Sequence, residues 1–117
     1  MRSRITPFAP AIAWAVLVLL VSSWPRLTVP EFGDAPVDKI AHFIEYFTLG
    51  ILLNRGDQKH HTFGPLLLGT LGIVFSALDE SHQAFIPGRM PSLSDFVADA
   101  LGVIAGVTGH SIVLSRR

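Results

Sequence analysis

The stretch Ala77-Leu78-Asp79-Glu80-Ser81-His82-Gln83 places acidic and polar side chains inside a segment that is otherwise rich in Leu, Val, Ile and Gly. The same combination recurs in Asp38-Lys39-Ile40-Ala41-His42-Phe43-Ile44-Glu45-Tyr46 and in Ser92-Leu93-Ser94-Asp95-Phe96-Val97-Ala98-Asp99. Polar residues recur in each stretch at intervals of three or four, which puts them on one face of a helix. The sequence therefore predicts helices that are apolar on most faces and carry one polar stripe each.

Apolar segments make up most of the chain and predict an all-α fold. They lie at about residues 8–24, 37–54, 63–85 and 92–113, separated by stretches with Pro and Gly, and each is nearly long enough to cross about 30 Å of hydrocarbon. Only 15% of the 117 residues are charged and the mean hydropathy is +0.49, whereas soluble domains have about 25% charged residues. We therefore expect one domain that forms an integral membrane bundle of four transmembrane helices.

The last segment also contains the spacing Gly102-x-x-x-Gly106. Small residues four apart let two helix backbones approach closely, so this spacing predicts a helix–helix contact. The alternative is that Gly is simply frequent in membrane helices.

Composition excludes several classes of function. Nine Lys and Arg balance nine Asp and Glu, whereas a nucleic-acid binder has a basic excess, so we expect no nucleic-acid partner. The chain has no Cys, which excludes disulfides, thiolate metal sites and Cys nucleophiles. The basic start and the apolar run at 8–24 are similar to a secretory signal. The run is longer than usual and Ser22-Ser23-Trp24 is a poor cleavage site, so we interpret it as a retained helix.

Basic residues predict the orientation of the bundle. Most of them fall on one side of a four-span path: Arg2, Arg4, Arg55, Lys59, Arg116 and Arg117. By the positive-inside rule both termini and the 55–62 loop are cytoplasmic. We therefore expect a multi-pass protein of the cell membrane, with the lipid bilayer as its main partner. The polar stripes then lie near the outer face.

Glu45, Asp79 and Asp99 lie at one predicted depth. Because alternate helices run in opposite directions, each of these acids is about 8–11 Å below the outer boundary at about 1.5 Å per residue. An acid at the centre of a bilayer costs about 2.5–3.5 kcal/mol, so we expect the stripes to face one another across a partly wet cavity. The predicted cavity has more acids than bases. Its charge requires protonated carboxyls, a bound divalent cation or a cationic ligand.

The polar stripes supply three sets of candidate site residues. In acid–base chemistry, His42 would carry the proton, and carboxyl groups in different environments would divide the roles of acid and base. The candidate carboxyl groups are Glu45, Asp79, Glu80 and Asp95. A ligand would be held by further polar side chains: Asp38, Lys39, Tyr46, Gln83, Arg89, Ser92 and Asp99. A divalent cation such as Zn²⁺ or Mn²⁺ would bind imidazole and carboxylate groups: His42, Glu45, Asp79 and Asp95. No fixed-spacing metal motif identifies a cofactor.

Two of these stretches resemble the signatures of the VanZ-like membrane protein family. Asp38 to Gly50 resembles the first signature, and Ala77 to Arg89, followed by Ser92 and Asp95, resembles the second. The similarity covers about residues 34–110. The family is named for a protein associated with resistance to the glycopeptide antibiotic teicoplanin. The resemblance therefore implies a four-span topology and an effect on glycopeptide susceptibility, but no reaction.

The resemblance implies specific site residues in this chain. The matching positions are Asp38, Lys39, His42, Tyr46, Asp79, Glu80, Gln83, Arg89 and Asp95. One departure stands at Asp99, where the resemblance implies Asn. An amide donates hydrogen bonds and an ionised carboxylate does not, so the chemistry of this position differs from the family pattern.

Three classes of function follow from these observations. The first, which we prefer, is a polar pocket at the outer face that binds an envelope-related ligand of lipid or glycopeptide type. The second is a membrane-embedded acid–base or metal-assisted enzyme that acts on a lipid headgroup or a lipid-linked precursor. The third is an accessory subunit in which the polar residues form a structural hydrogen-bond network. No complete catalytic constellation can be identified, and a homo-oligomer is compatible with all three.

Overall fold

A computed structural model describes residues 6–22, 37–57, 63–85 and 93–115. Every regular element within these ranges is helical, which confirms the all-α prediction. A 3-10 turn at Thr6–Phe8 precedes α1 (Ala9–Ser22), and the other helices are α2 (Val37–Asp57), α3 (Gly64–Gln83) and α4 (Leu93–Ser115). The helix boundaries differ from the predicted segments by three residues or fewer.

α2 continues beyond its predicted end, so the connection to α3 begins after Asp57 and not at residue 55. Gly56 is buried in this last turn, and a Cβ atom there would lie 2.7 Å from the ring of Phe8. Contact with the ring removes the turn from solvent and favours continued backbone hydrogen bonding. The local composition, which is polar and contains Gly, does not reveal this contact.

Asp57 joins the end of α2 to the start of α3. Its two carboxylate oxygens accept hydrogen bonds from the backbone N–H groups of Phe63 and Gly64, both at 2.9 Å. The N-terminus of a helix has free N–H groups and a positive dipole end, so a carboxylate stabilises it. Gly64 has φ of +80°, a left-handed conformation that residues with a Cβ atom rarely adopt.

Pairs of contacts at the two ends of the bundle give the directions of the helices. His42 of α2 pairs with Asp99 of α4 at one end, and Asn54 pairs with His110 at 2.8 Å at the other. α2 and α4 are therefore parallel. α3 is antiparallel to both, because its start contacts the end of α2 whereas Ser76, nearer its end, contacts Asp99.

α2 and α4 form the most extensive helix–helix contact, and glycine permits it. A Cβ atom at Gly102 would lie 2.5 Å from the carbonyl oxygen of Phe43, and one at Gly106 would overlap the carbonyl oxygen of Phe47. On the opposite helix, a Cβ atom at Gly50 would lie 2.6 Å from the carbonyl oxygen of Val103. The contact predicted from the Gly102-x-x-x-Gly106 spacing is confirmed.

Within the described helices, polar side chains are buried beside an apolar core, and many large apolar side chains are exposed. The buried polar side chains include Ser76, Asp79, Glu80, Gln83, Asp95 and Asp99. Large apolar side chains are exposed on the helices, among them Val74 at 50%, Leu78 at 64% and Leu101 at 54%. Within the described ranges, Leu93–Val113 is long and apolar enough by itself to cross a bilayer, and Thr6–Val21 is a shorter apolar helix.

Candidate functional site

Three helices bring their polar stripes together at one end of the bundle. The members lie on α2 (His42 and Tyr46), on α3 (Ser76, Asp79, Glu80 and Gln83) and on α4 (Asp95 and Asp99). Intervals of three and four residues put each set on one helix face, and the alternating helix directions bring the three faces to one level. We define the acidic cluster as His42, Glu80, Asp95 and Asp99.

His42 and Asp99 form the closest pair in the acidic cluster. His42 Nδ1 and Asp99 Oδ1 are 2.8 Å apart, an ordinary distance for a hydrogen bond in which a ring N–H donates to the carboxylate or a protonated carboxyl donates to the ring nitrogen. The other oxygen of Asp99, Oδ2, accepts a hydrogen bond from the Ser76 hydroxyl at 3.1 Å. Asp99 is 0% exposed, so this carboxyl group is held entirely by protein contacts from the two neighbouring helices.

Glu80 and Asp95 lie on either side of the same imidazole ring. Glu80 Oε1 is 3.8 Å from His42 Nδ1, and Asp95 Oδ2 is 3.9 Å from His42 Nε2. The side chain of Glu80 is 9% exposed, and neither of its oxygens has a hydrogen-bond partner among the residues that the structure describes. With Asp99, three carboxyl groups surround one imidazole in a buried site. Their charge favours additional protons or a cation.

Tyr46 and Asp79 form a second polar pair, between α2 and α3. The Tyr46 hydroxyl donates a hydrogen bond to Asp79 Oδ2 at 2.8 Å, and both residues are buried. The ring of Tyr46 lies 6.0 Å from the ring of Phe75. The pair therefore borders the acidic cluster on one side and an apolar region on the other.

The remaining sequence candidates lie at the edge of the cluster or outside the description. The side chain of Glu45 is partly buried, and Gln83 is buried at the last residue of α3. Asp38 and Lys39 lie in the first turn of α2, but their side chains are outside the described residues. Arg89 and Ser92 fall in the gap at 86–92.

Trp14 contributes a contact that the sequence reasoning did not include. Its indole Nε1–H donates a hydrogen bond to the backbone carbonyl of Glu45 at 2.8 Å, which ties α1 to α2 at the level of the cluster. A buried Trp usually needs a hydrogen-bond partner for its N–H group, so a Trp in an apolar helix indicates that such a contact exists. Sequence does not identify the acceptor, because any carbonyl or side-chain oxygen can serve.

One group of potential metal-ligating atoms can be identified in the described part of the chain. His42, Glu80 and Asp99 each offer one donor atom, and the three atoms lie within 4.8 Å of one another. The sequence-based ligand set was His42, Glu45, Asp79 and Asp95. The structure thus pairs His42 with two other acids, while Asp95 lies on the Nε2 side of the ring and Asp79 bonds to Tyr46.

An apolar cavity of about 310 Å³ lies among α1, α2 and α3 on the other side of Tyr46. Its lining includes Phe8, Ile12, Leu53, Leu71 and Phe75. Because Phe75 also contacts Tyr46, the apolar cavity and the polar residues are neighbours in the bundle. A molecule with a polar group and an apolar chain could therefore place the polar group at the acidic cluster and the chain in the adjacent apolar cavity.

Comparison with known proteins agrees with the motifs. A family model described as VanZ/LLP1 matches residues 4–114, which include both signature stretches and the acidic cluster. No curated protein and no solved structure matches the chain. The resemblance inferred from the residues is therefore confirmed, and this chain belongs to the VanZ/LLP1 family.

Proposed function

We propose that this protein spans the cell membrane several times and that its acidic cluster binds an envelope-related ligand near the outer face. Glu80 carries the proposal. Its side chain is 9% exposed, and neither oxygen has a hydrogen-bond partner among the described residues. Buried polar groups in proteins are nearly always paired, so this carboxyl group is the one that we assign to a bound ligand.

The exposed apolar faces support the membrane part of the proposal. α2, α3 and α4 contain 21, 20 and 23 residues. At about 1.5 Å per residue each is about 30–35 Å long, which fits the roughly 30 Å of a bilayer core. Exposed Leu and Val side chains would then contact lipid, and the polar stripes face inward. The basic residues counted in the sequence favour cytoplasmic termini and an outward-facing cluster.

The apolar cavity favours a ligand of lipid type. A headgroup that reaches the acidic cluster would leave its acyl or prenyl chain near Phe75, which lines the cavity and packs against Tyr46. Membership of a family named for teicoplanin resistance supports an effect on glycopeptide susceptibility. Both observations point to an envelope lipid or lipid-linked precursor.

Native mass spectrometry of the full-length protein, purified in mild detergent from cell membranes, tests this ligand. The wild type should retain a lipid or lipid-linked molecule, and Glu80→Gln should lose it because the amide removes the ligand-facing charge. Ser81→Ala is the matched control, since Ser81 is exposed and its hydroxyl donates a hydrogen bond to the Ala77 carbonyl of its own helix. An empty wild type, or equal retention in Glu80→Gln, contradicts the proposal.

Catalysis is the second candidate, and the position of His42 favours it. The ring stands between Asp99 on Nδ1 and Asp95 on Nε2, an arrangement that can orient an imidazole and pass a proton. An enzyme would convert the retained molecule in the mass-spectrometry assay. Asp79→Asn should then abolish turnover while the protein still folds and inserts.

A structural role is the third candidate. Asp99 bonds to α2 through His42 and to α3 through Ser76, so it links three helices. If linking the helices is the sole role of the polar residues, Asp99→Asn should lower the unfolding temperature, and wild-type protein purified from membranes should retain no ligand. Loss of a ligand without loss of stability would contradict it.

A further inference from the structure

His42, Glu80 and Asp99 are arranged as a set of potential metal ligands, and Ser76 orients one of them by a hydrogen bond to Asp99. We infer that His42 Nδ1, a carboxylate oxygen of Glu80 and Asp99 Oδ1 bind a divalent cation of the Zn²⁺ or Mn²⁺ type between α2, α3 and α4. The inference deepens the proposed ligand binding. It rests on the proposed function in one respect: the envelope-related ligand would supply a further ligand to the metal ion.

Distances support this assignment. The three donor atoms lie within 4.8 Å of one another, and Nδ1 is 2.8 Å from Asp99 Oδ1 and 3.8 Å from Glu80 Oε1. Ligand atoms on one Zn²⁺ lie about 2.0–2.2 Å from the ion and so at most about 4.4 Å from each other. Small side-chain rotations therefore bring the three atoms into one coordination shell.

A hydrogen bond orients one ligand, Asp99, and a carboxylate lies beside the second ring nitrogen of another, His42. The Ser76 hydroxyl occupies Asp99 Oδ2 at 3.1 Å and leaves Oδ1 directed at His42. Asp95 Oδ2 lies 3.9 Å from His42 Nε2, on the side of the ring opposite Nδ1. A carboxylate that accepts the second N–H of a metal-bound imidazole is the usual outer-shell partner of such a ligand.

The buried carboxyl group of Glu80 distinguishes this site from an ordinary cluster of acidic residues. Its side chain is nine-tenths buried and points at the His42 ring, yet neither oxygen has a hydrogen-bond partner in the described ranges. Asp99, by contrast, is hydrogen-bonded by protein groups. A cation on the Nδ1 side would complete the coordination of Glu80.

The excess of carboxyl groups over basic side chains near His42 also supports a bound cation. Among the side chains that the structure describes, Arg55 is the one Lys or Arg, and it is exposed near the far end of α2. It is about 20 Å from His42 along the helix at about 1.5 Å per residue. Three carboxyl groups near one imidazole therefore have no basic side chain beside them within the described residues. A divalent cation would offset their charge.

The donor set suggests which ions fit. One imidazole and two carboxylates suit Zn²⁺ or Mn²⁺, whereas Ca²⁺ and Mg²⁺ prefer oxygen ligands throughout. Binding would release to solvent the proton of the hydrogen bond between His42 and Asp99. Three protein ligands leave a position for water or for an anionic oxygen of the proposed ligand, which explains how an acidic cluster could hold a phosphate or carboxylate group.

Metal binding to the chelator-stripped, full-length protein in detergent tests the inference. Isothermal titration with Zn²⁺ and with Mn²⁺ should show stoichiometric binding, and elemental analysis after dialysis should recover the ion. Glu80→Gln should weaken binding by more than about 100-fold, and Asp95→Asn by about 10–100-fold. Among the described residues Glu80 has an ion-pair contact with His42 at 3.8 Å and no hydrogen bond, so Glu80→Gln breaks no described hydrogen bond and should fold normally.

Controls separate this site from histidines elsewhere in the chain. The purification tag contains no histidine, and a background variant carries His60→Gln, His61→Gln and His82→Gln, which should leave the affinity unchanged. His110 is kept because its Nδ1 is hydrogen-bonded to Asn54 at the other end of the bundle. No binding by the wild type, or unchanged affinity in Glu80→Gln, overturns the metal site. If the wild type binds neither metal ion but retains a lipid that Glu80→Gln loses, the metal site fails while the proposed ligand binding stands.

Discussion

Tyr46 provides a hydrogen-bond donor to a carboxyl group that is removed from water. Asp79 is 1% exposed and accepts the Tyr46 hydroxyl at 2.8 Å. A buried acceptor that loses such a donor retains the cost of its desolvation, which makes removal of one partner more damaging than the mean strength of a hydrogen bond suggests. The Tyr46–Asp79 pair is therefore a test of how much polar contacts stabilise this bundle.

Tyr46→Phe should lower the free energy of unfolding by about 1–2 kcal/mol, because the ring remains and only the donor is lost. Thermal unfolding in detergent, followed by circular dichroism, measures the change. Thr70→Val is the control, since Thr70 is exposed and its hydroxyl bonds to Leu66 of its own helix. If both substitutions have the same effect, the Tyr46 hydrogen bond contributes nothing specific.

Residue types and spacing were sufficient to nominate His42, Asp79, Glu80 and Asp95 as candidates. They were insufficient to group Glu80 and Asp99 with His42 as potential metal ligands. Polar residues at intervals of three and four define a face, but each face offers several carboxyl groups at nearly the same height. Which of them meets the imidazole depends on helix rotation and separation, and these are properties of packing. The functional roles of all these residues stay predictions.

At the scale of the elements, the approach of α2 and α4 positions the site. Gly50, Gly102 and Gly106 bring the two backbones together, and this approach sets His42 against Asp99 at one end of the contact. A side chain at any of the three positions would have to displace backbone atoms, which cannot rotate away as a side chain can. The same contact therefore supports both the stability of the bundle and the geometry of the acidic cluster.

Gly106→Ala should reduce stability by about 1–3 kcal/mol, the usual cost of overpacking, because its Cβ atom would overlap the Phe47 carbonyl. Gly109→Ala is the matched control on the same helix, since a Cβ atom there would meet no other described part of the protein within 4 Å. That substitution should be neutral or stabilising by up to about 1 kcal/mol, from helix propensity. Equal losses in thermal unfolding would contradict the close contact of α2 and α4.

At the scale of the whole molecule, the main feature of the described helices is the combination of a buried polar cluster with exposed apolar faces. Polar side chains of three helices meet inside beside an apolar core, and many large apolar side chains are exposed. Soluble monomers rarely expose large contiguous apolar surfaces, so the molecule calls for an apolar environment or for partners that cover its faces. A bilayer would surround all of the exposed apolar faces with lipid, and a homo-oligomer in the bilayer would cover some of these faces with protein.

The absence of native Cys permits a direct test of span and orientation. An impermeant maleimide applied to intact cells should label Met90→Cys, and should label Lys59→Cys only after permeabilisation. Val74→Cys should resist labelling in both cases although Val74 is 50% exposed, because it lies at the middle of α3 and would face lipid. Labelling of Val74→Cys as fast as Met90→Cys would contradict a membrane span, and exchanged patterns for the loops would reverse the orientation.

The number of helices, their approximate limits and the presence of one polar stripe on each of α2, α3 and α4 followed from the sequence alone. These features depend on local spacing and on the solvent that each face prefers, and both can be deduced from residue order. Only the tertiary structure decided that α2 extends to Asp57, that Gly56 packs on Phe8, and that His42 lies between Asp95 and Asp99. Such contacts join residues far apart in the chain, and sub-ångström packing of backbones and rings selects among neighbours that local spacing leaves equivalent.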